Sequence, residues 1–258
     1  MSELESLMQA VAEVARAAGD VALRHYRSRA SLAIETKGDG SPVTIADREA
    51  ERVARDWIAR RFPADGIVGE ELGTTTSGAA RRWIVDPIDG TRTFLRGVPL
   101  WGTLVAVAEG ERVLAGAAYF PATGECVAAA NGCGCWADGR RARVSAVDSL
   151  SAATVLATDD RFPARAGRRD RWDRLRQRAA LSRSWGDAYG YLLVATGRAE
   201  VMVDDVVSPW DIAALLPVIT EAGGVLTDWA GRPTAFGGNA IATNAALAEE
   251  VRGMLTHD

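Results

Sequence analysis

Apolar residues at Leu4, Leu7, Met8, Val11, Val14, Ala15, Ala18, Val21 and Ala22 recur at helical spacing, which predicts one long amphipathic helix over 3–29. A second helical face, Ala46, Ala50, Val53, Ala54, Trp57 and Ile58, runs until Phe62-Pro63, and Thr44 with Asp47 reads as a capping box at its start. The stretch between them, Thr36-Lys37-Gly38-Asp39-Gly40-Ser41-Pro42, is polar and glycine-bearing and predicts a loop free to act as a flap. The period then shortens. Ile67-Val68 and Trp83-Ile84-Val85 read as buried strands, and 100–108, 113–120, 125–129 and 141–145 follow with Glu109-Gly110, Ala122-Thr123-Gly124 and Asp138-Gly139 between them. Turn signals about every ten residues predict an antiparallel meander forming one large sheet. The second half alternates: a strand at 154–158, a basic helix at 168–180, an apolar helix at 187–196 and a strand at 200–203. A helix opened by Ser208-Pro209-Trp210-Asp211 and closed by Gly223-Gly224 follows, then a strand at 225–227 and a strand-helix pair from Ala240.

Composition narrows the classes. At 258 residues the chain can hold one large domain or two α/β lobes, and 48% hydrophobic with 25% charged residues suits a soluble globular protein. A net charge of −4 with scattered basic residues argues against nucleic acid as a partner. No apolar run reaches the ~18 residues of a spanning helix, so no membrane partner is expected. The acidic, polar opening Met1-Ser2-Glu3-Leu4-Glu5 is unlike a signal peptide, so a cytoplasmic protein is expected. Cys126, Cys133 and Cys135 cluster without a nearby histidine, since His25 and His257 are distant, and structural zinc is not expected. Cys135 and Arg141 match the spacing of cysteine-dependent phosphatases, yet Trp136 and Asp138-Gly139 would put a turn and a negative charge where phosphate should sit. All three cysteines read as small core or turn residues. Of the 30 basic residues only Lys37 is a lysine, which suggests a compact ammonium beside a crowded anionic site, a place an arginine cannot fill.

Candidate chemistry concentrates at Asp86-Pro87-Ile88-Asp89-Gly90-Thr91. Carboxylates at a strand's carboxyl end stand where open α/β sheets place ligands. Gly90 and Thr91 can open a helix whose free N–H groups favour an anion. Acids beside an anion need cations between them, and divalent metal with phosphate is the economical solution. Asp-Pro and Asp-Gly steps are also plain turn chemistry, so other acids must decide. Glu70, in Gly69-Glu70-Glu71, follows another strand, and Asp211 sits at a helix start, where it can equally complete a cap. With Glu70, Asp86, Asp89 and Asp211 as a set, two magnesium ions can bridge a phosphate, orient a water and neutralise the leaving oxygen. Asp47 and Thr91 form a pair able to position or deprotonate that water.

These motifs resemble the inositol monophosphatase family of magnesium-dependent, lithium-sensitive phosphatases: SPVTIAD at 41–47, GEE at 69–71, WIVDPIDGT at 83–91, SPWDIAA at 208–214 and EAGG at 221–224. The resemblance implies an α/β (α+β) fold, a five-layer αβαβα sandwich. Its first lobe, 1–148, would hold the large antiparallel sheet and the metal motifs. The second, 149–258, would contribute Asp211 and substrate contacts. It also implies a phosphoric monoester hydrolase with two or three Mg²⁺ ions, or Mn²⁺, held by Glu70, Asp86, the Ile88 carbonyl, Asp89 and Asp211. Phosphate would lie at Gly90 and Thr91, with a water activated through Thr91 and Asp47 and with Glu70 counted among the catalytic groups. Lys37 falls on the family's mobile, metal-proximal loop, and family members are commonly homodimers. Haloacid-dehalogenase phosphatases use a similar motif, but with aspartates two apart near the N-terminus and a downstream lysine that this chain lacks.

Within the family, 94–103 and 185–197 look like the histidinol-phosphate phosphatase branch. Polyol phosphatases tend to carry Gly-Ser/Thr-Ala-Ala where this chain has Gly186-Asp187-Ala188-Tyr189. Histidinol phosphate brings an ammonium and a protonatable imidazole that an extra carboxylate would hold. Asp204, seven residues before Asp211, adds an acid at the position the family uses for substrate hydroxyls. The expected activity is hydrolysis of L-histidinol phosphate, a small phosphate ester of histidine biosynthesis, with Asp187, Asp204 and Lys37 as substrate contacts. An inositol-1-monophosphatase or broad-specificity monophosphatase is the alternative on the same fold. A binding or regulatory relative would lack a ligand, and none is missing.

Overall fold

The computed structural model describes residues 2–29, 32–38, 40–75, 78, 80–162 and 167–256; Asp39 of the predicted loop and His257 lie outside them. Ser2 caps the first helix, α1 (Glu3–Arg27), through a reciprocal pair of bonds with Glu5, and the helix buries the stripe Leu7, Val11, Val14, Ala18 and Val21. The predicted loop after it is a small hairpin, β1 (Glu35–Thr36) and β2 (Pro42–Val43). Thr44 then opens α2 (Ile45–Arg61) with the expected capping box to Asp47.

The first large sheet is built from β3 (Gly66–Gly69), β4 (Gly73–Thr75) and β5 (Arg81–Asp89), then, after the five-residue α3 (Thr91–Leu95), from β6 (Gly102–Glu109), β7 (Arg112–Phe120), β8 (Glu125–Ala130), β9 (Gly134–Ala137) and β10 (Arg140–Arg141). Its order is β10-β9-β8-β7-β6-β5-β3-β4, antiparallel throughout except where β3 runs parallel to β5. Two strand expectations need correction. The strand predicted over 141–145 contributes only its first residue, to β10, because the chain then leaves the sheet and Val144 hydrogen-bonds to the Ala222 carbonyl instead. A strand that the pattern does not reveal, β9, lies between positive-φ turns at Gly132 and Asp138.

The remaining elements are β11 (Thr154–Ala157), α4 (Arg168–Arg178), the unforeseen β12 (Leu181–Arg183), α5 (Asp187–Ala195), β13 (Val201–Asp204), α6 (Pro209–Ile212), α7 (Leu215–Glu221), β14 (Val225–Thr227), β15 (Ala240–Thr243) and α8 (Ala248–Thr256). The single helix expected after Ser208 is thus two, α6 and α7, with Ala213 and Ala214 between them. The second sheet has the order β12-β11-β13-β15-β14, parallel over its first three strands and antiparallel beyond.

Side-chain alternation on β5 shows how the layers stack. Trp83 and Val85 enter a core shared with α1 and α2, while Ile84 enters one shared with α5 and α7. Leu156 and Met202 close that middle core from the second sheet, and Val155, Val203 and Ile241 face an outer core with Trp172 and Leu175 of α4 and Val251 of α8. The result is a five-layer αβαβα sandwich. At its middle, Gly116 of β7 touches the backbone between α6 and α7. A Cβ there would lie 2.2 Å from the Ala214 carbonyl oxygen, so only glycine lets sheet and helix meet this closely.

Candidate active site

Regular strand alternation would send Asp86 and Asp89, an odd number of residues apart, to opposite faces of the sheet. The β5–β6 pairing breaks between them: Asp86 stands opposite Leu104 and Asp89 opposite Gly102, an irregularity that gives β5 an extra residue. Pro87 lies in this bulge and has no N–H to leave unpaired. Its carbonyl accepts the buried Thr103 hydroxyl at 2.8 Å, and the Ile88 N–H donates to Asp86 Oδ1 at 3.0 Å. The bulge turns both carboxylates toward the start of α6. There Asp211 joins them, and the three acids each bring an oxygen within 4.8 Å of the others.

Asp211 also completes the predicted cap, accepting the Ser208 N–H at 2.7 Å. Burial, reinforced by repulsion among neighbouring acids, raises Asp86 and Asp89 well above the usual carboxylate range, and burial pushes Asp211 up to about 7. Three carboxyls held this way repel one another unless a cation lies between them. An all-oxygen donor set of this charge fits a hard divalent ion. Glu70 lies beside the triad, close enough for its charge to raise Asp86 further, and lines the same cavity of about 910 Å³ as Asp86, Ile88, Asp89, Gly90, Thr91, Asp187 and Asp211.

Lys37 lines neither this cavity nor the recess behind it; its ammonium bridges Glu70 Oε1 at 2.6 Å and Glu71 Oε1 at 2.5 Å. Burial alone would lower its pKa, but the two carboxylates overcome that and hold it raised. Asp47 uses Oδ2 for the Thr44 cap, whereas Oδ1 is buried with no hydrogen-bond partner. Burial raises its pKa as well. The Thr91 hydroxyl donates to the Ile88 carbonyl at 3.0 Å.

Behind the triad lies a recess of about 190 Å³, lined by Thr158, Asp187, Tyr191, Asp204, Asp205 and neighbouring residues, and among the described residues no basic side chain lies on its wall. Asp187 opens α5 at φ +51°, its N–H on Thr158 Oγ1 at 2.8 Å and its carboxylate accepting the Thr93 hydroxyl at 3.1 Å. Gly186 precedes it because a Cβ there would strike the Thr158 backbone at 2.3 Å. Asp204 accepts the Tyr191 hydroxyl at 2.8 Å, and burial pushes its pKa up to about 6. Asp205 is paired with the buried Arg168. The expected roles for His25 and the cysteines need no chemistry: His25 meets Glu49 at 2.8 Å, Cys126 and Cys135 are buried and Cys133 is half-buried. Sequence reasoning passed over Glu51 and Asp205. Glu51 was detectable as a glutamate on the apolar face of α2, among Ala50, Ala54 and Ile58.

An α/β layered sandwich with an acid triad where β5 meets α6 defines a metal-dependent phosphatase architecture. The model of the inositol monophosphatase family matches residues 3–256, and the chain belongs to that family. It is similar to the histidinol-phosphatase of Chlorobaculum parvum, 44% identical with 91% of this chain and 90% of that protein covered. The histidinol-phosphatase of Mycobacterium tuberculosis is 41% identical, with 96% of each covered. Among solved structures, the extragenic suppressor protein SuhB from Bartonella henselae superposes with a TM-score of 0.91 at 29% identity, covering 97% of this chain and 98% of that one. The chain is therefore a phosphoric monoester hydrolase. No helix among the described residues is long and apolar enough to cross a membrane.

Proposed function

We propose that this enzyme hydrolyses L-histidinol phosphate. The observation that carries the reading is the acidic recess behind the triad. Asp205 there is neutralised by Arg168, but Asp187 and Asp204 are held by hydroxyls, and burial keeps both carboxyls above their ordinary range. An ammonium or imidazolium entering the recess returns them to the charged form and gains charge-assisted hydrogen bonds; neutral hydroxyls do neither. The names of the two similar relatives support the same substrate.

In this reading Glu70, Asp86, Asp89, Asp211 and the Ile88 carbonyl hold two or three Mg²⁺ ions, which Mn²⁺ can replace. When bound, such ions polarise phosphoryl oxygens and make water more acidic. The N–H groups of Gly90 and Thr91 at the start of α3 hold phosphate oxygens, and the Thr91 hydroxyl orients the water. Asp47, through the oxygen left free by its cap, accepts the water's proton. Residues 149–258 present the leaving group through Asp187 and Asp204, while Lys37 stays with Glu70 and Glu71. A cytoplasmic, lithium-sensitive homodimer completes the reading.

Phosphate release from histidinol phosphate, inositol 1-phosphate and p-nitrophenyl phosphate tests it. The wild type should prefer histidinol phosphate. Asp187→Asn, which keeps a residue tolerant of positive φ, should lower kcat/KM for that substrate about 10- to 150-fold, equivalent to about 1.5–3 kcal/mol, and spare p-nitrophenyl phosphate. The double change with Asp204→Asn should lose more. Equal losses on both substrates, or outright preference for inositol phosphate, would remove the histidinol assignment. Arg92, Arg96 and Arg161 on the wall of the larger cavity favour a second reading, a broad-specificity phosphatase that also takes a second anionic group. Adding fructose 1,6-bisphosphate to the panel measures it.

A further inference from the structure

Glu51 is 0% exposed, one helical turn after Asp47 on the same face of α2. A carboxylate this deep needs partners on every side. It receives the Glu71 N–H on Oε2 at 2.7 Å and the Leu72 N–H on Oε1 at 3.2 Å and Oε2 at 3.3 Å. Arg55 balances its charge at 2.7 Å, and the same guanidinium reaches forward to the Gly73 carbonyl and the Thr75 hydroxyl, clasping β4. The glycine of the Gly69-Glu70-Glu71 motif is explained by the same carboxylate, since a Cβ on Gly69 would lie 2.0 Å from Glu51 Oε1. The turn carrying Glu70 is thus fastened to α2 at the residue before it and the two after it.

We propose that Glu51 is a positioning residue for Glu70. By fixing the 69–72 turn against the helix that bears Asp47, it sets where the Glu70 carboxylate stands relative to Asp86 and Asp211. It touches neither substrate nor cation; it acts through backbone amides. The proposal rests on the reading of Glu70 as a cation ligand in a metal-dependent phosphatase.

Glu51→Gln loses one acceptor oxygen and the charge that holds Arg55. Glu51→Asp keeps the charge but withdraws it by one methylene and retains a fold if the glutamine variant does not. Mn²⁺ binding to the full chain, measured by calorimetry, should weaken about tenfold or more in each folded variant, as loss of groups that orient ligands commonly does. The half-saturating Mg²⁺ concentration for p-nitrophenyl phosphate hydrolysis should rise in parallel, with KM for the ester unchanged. Hydrogen exchange at the Glu71 and Leu72 amides should quicken. A variant that melts earlier in EDTA yet binds Mn²⁺ with wild-type affinity would show Glu51 to be structural only and overturn the proposal. A wild type that binds no Mn²⁺, or binds it equally well as Asp86→Asn, would instead overturn the metal site itself.

Discussion

Asp211 shows how one carboxylate can close a helix cap and also stand in the acid triad, and Asp47 caps its helix in the same way. Each is the third residue of a capping box and spends hydrogen-bonding capacity on the N–H that opens its own helix. The cap fixes the side chain's rotamer; at Asp211 it leaves the carboxylate within the acid triad, and at Asp47 it leaves Oδ1 buried without a hydrogen-bond partner. At Asp86 no cap intervenes, and the carboxylate is buried against other acids. Asp86→Asn removes a charge that the stripped protein has to tolerate and that the cation-loaded protein needs. The variant should melt in EDTA at or above the wild-type temperature while its Mg²⁺-dependent turnover falls below detection. Substantial Mg²⁺-dependent turnover in this variant would sink the assignment of the triad as a cation site.

Among the elements, the bulge in β5 does most to build the site. Thr103 is fully buried and its hydroxyl pins the Pro87 carbonyl in the bulge. Thr103→Val conserves shape but orphans that oxygen, so stability should fall by about 1–3 kcal/mol in denaturant titration. Turnover should fall by more than the loss of folded protein explains, because Asp86 and Asp89 lose their common direction. Unchanged kcat in a destabilised variant would show that the bulge is held from elsewhere. Helix periods, turn dipeptides and caps made most elements and the ordered acid motifs readable along the chain. The two carboxylates were expected together beyond a strand ending at Val85, but β5 runs on to Asp89, where period-two alternation would part them, and the bulge that reunites them shows only in the cross-strand register. β9 and β12 were missed because strands of four and three residues carry too little alternation to register; β9 is held by tight hairpins to β8 and β10, and β12 by its pairing with the distant β11. Glu51 was passed over because a helical glutamate usually means a solvated face, although its place on the apolar face of α2 with Ala50, Ala54 and Ile58 was legible.

For the whole molecule, the triad joins β5 of the first sheet to α6 from the second half of the chain, and its repulsion is a load on the fold. Asp86, Asp89 and Asp211 bind protons more tightly in the folded chain than their ordinary value of 3.8, with Asp211 at about 7. The folded state therefore holds more protons than the unfolded one between those values, and the stability of EDTA-treated protein should decline as pH rises from about 4 to about 7. Cation binding requires the deprotonated form, so the rise in Tm on adding Mg²⁺ should grow in the same direction. At a hundredfold excess over Kd the gain is about 2.7 kcal/mol, or roughly 5–10 °C for a chain of this size. Calorimetric scans at pH 5 and pH 8, with and without Mg²⁺, check both; a Mg²⁺ shift larger at pH 5 would contradict the sign.

Gly116 has a consequence for how sequence change is tolerated. Where β7 meets the Ala214 carbonyl there is no side chain to trim and no rotamer to rearrange, so even a single methyl group has nowhere to go. In a library that varies every position, Gly116 should be as barren as Asp86, although it takes no part in chemistry. Its losses would be read as missing protein, and those at Asp86 as abundant, silent enzyme.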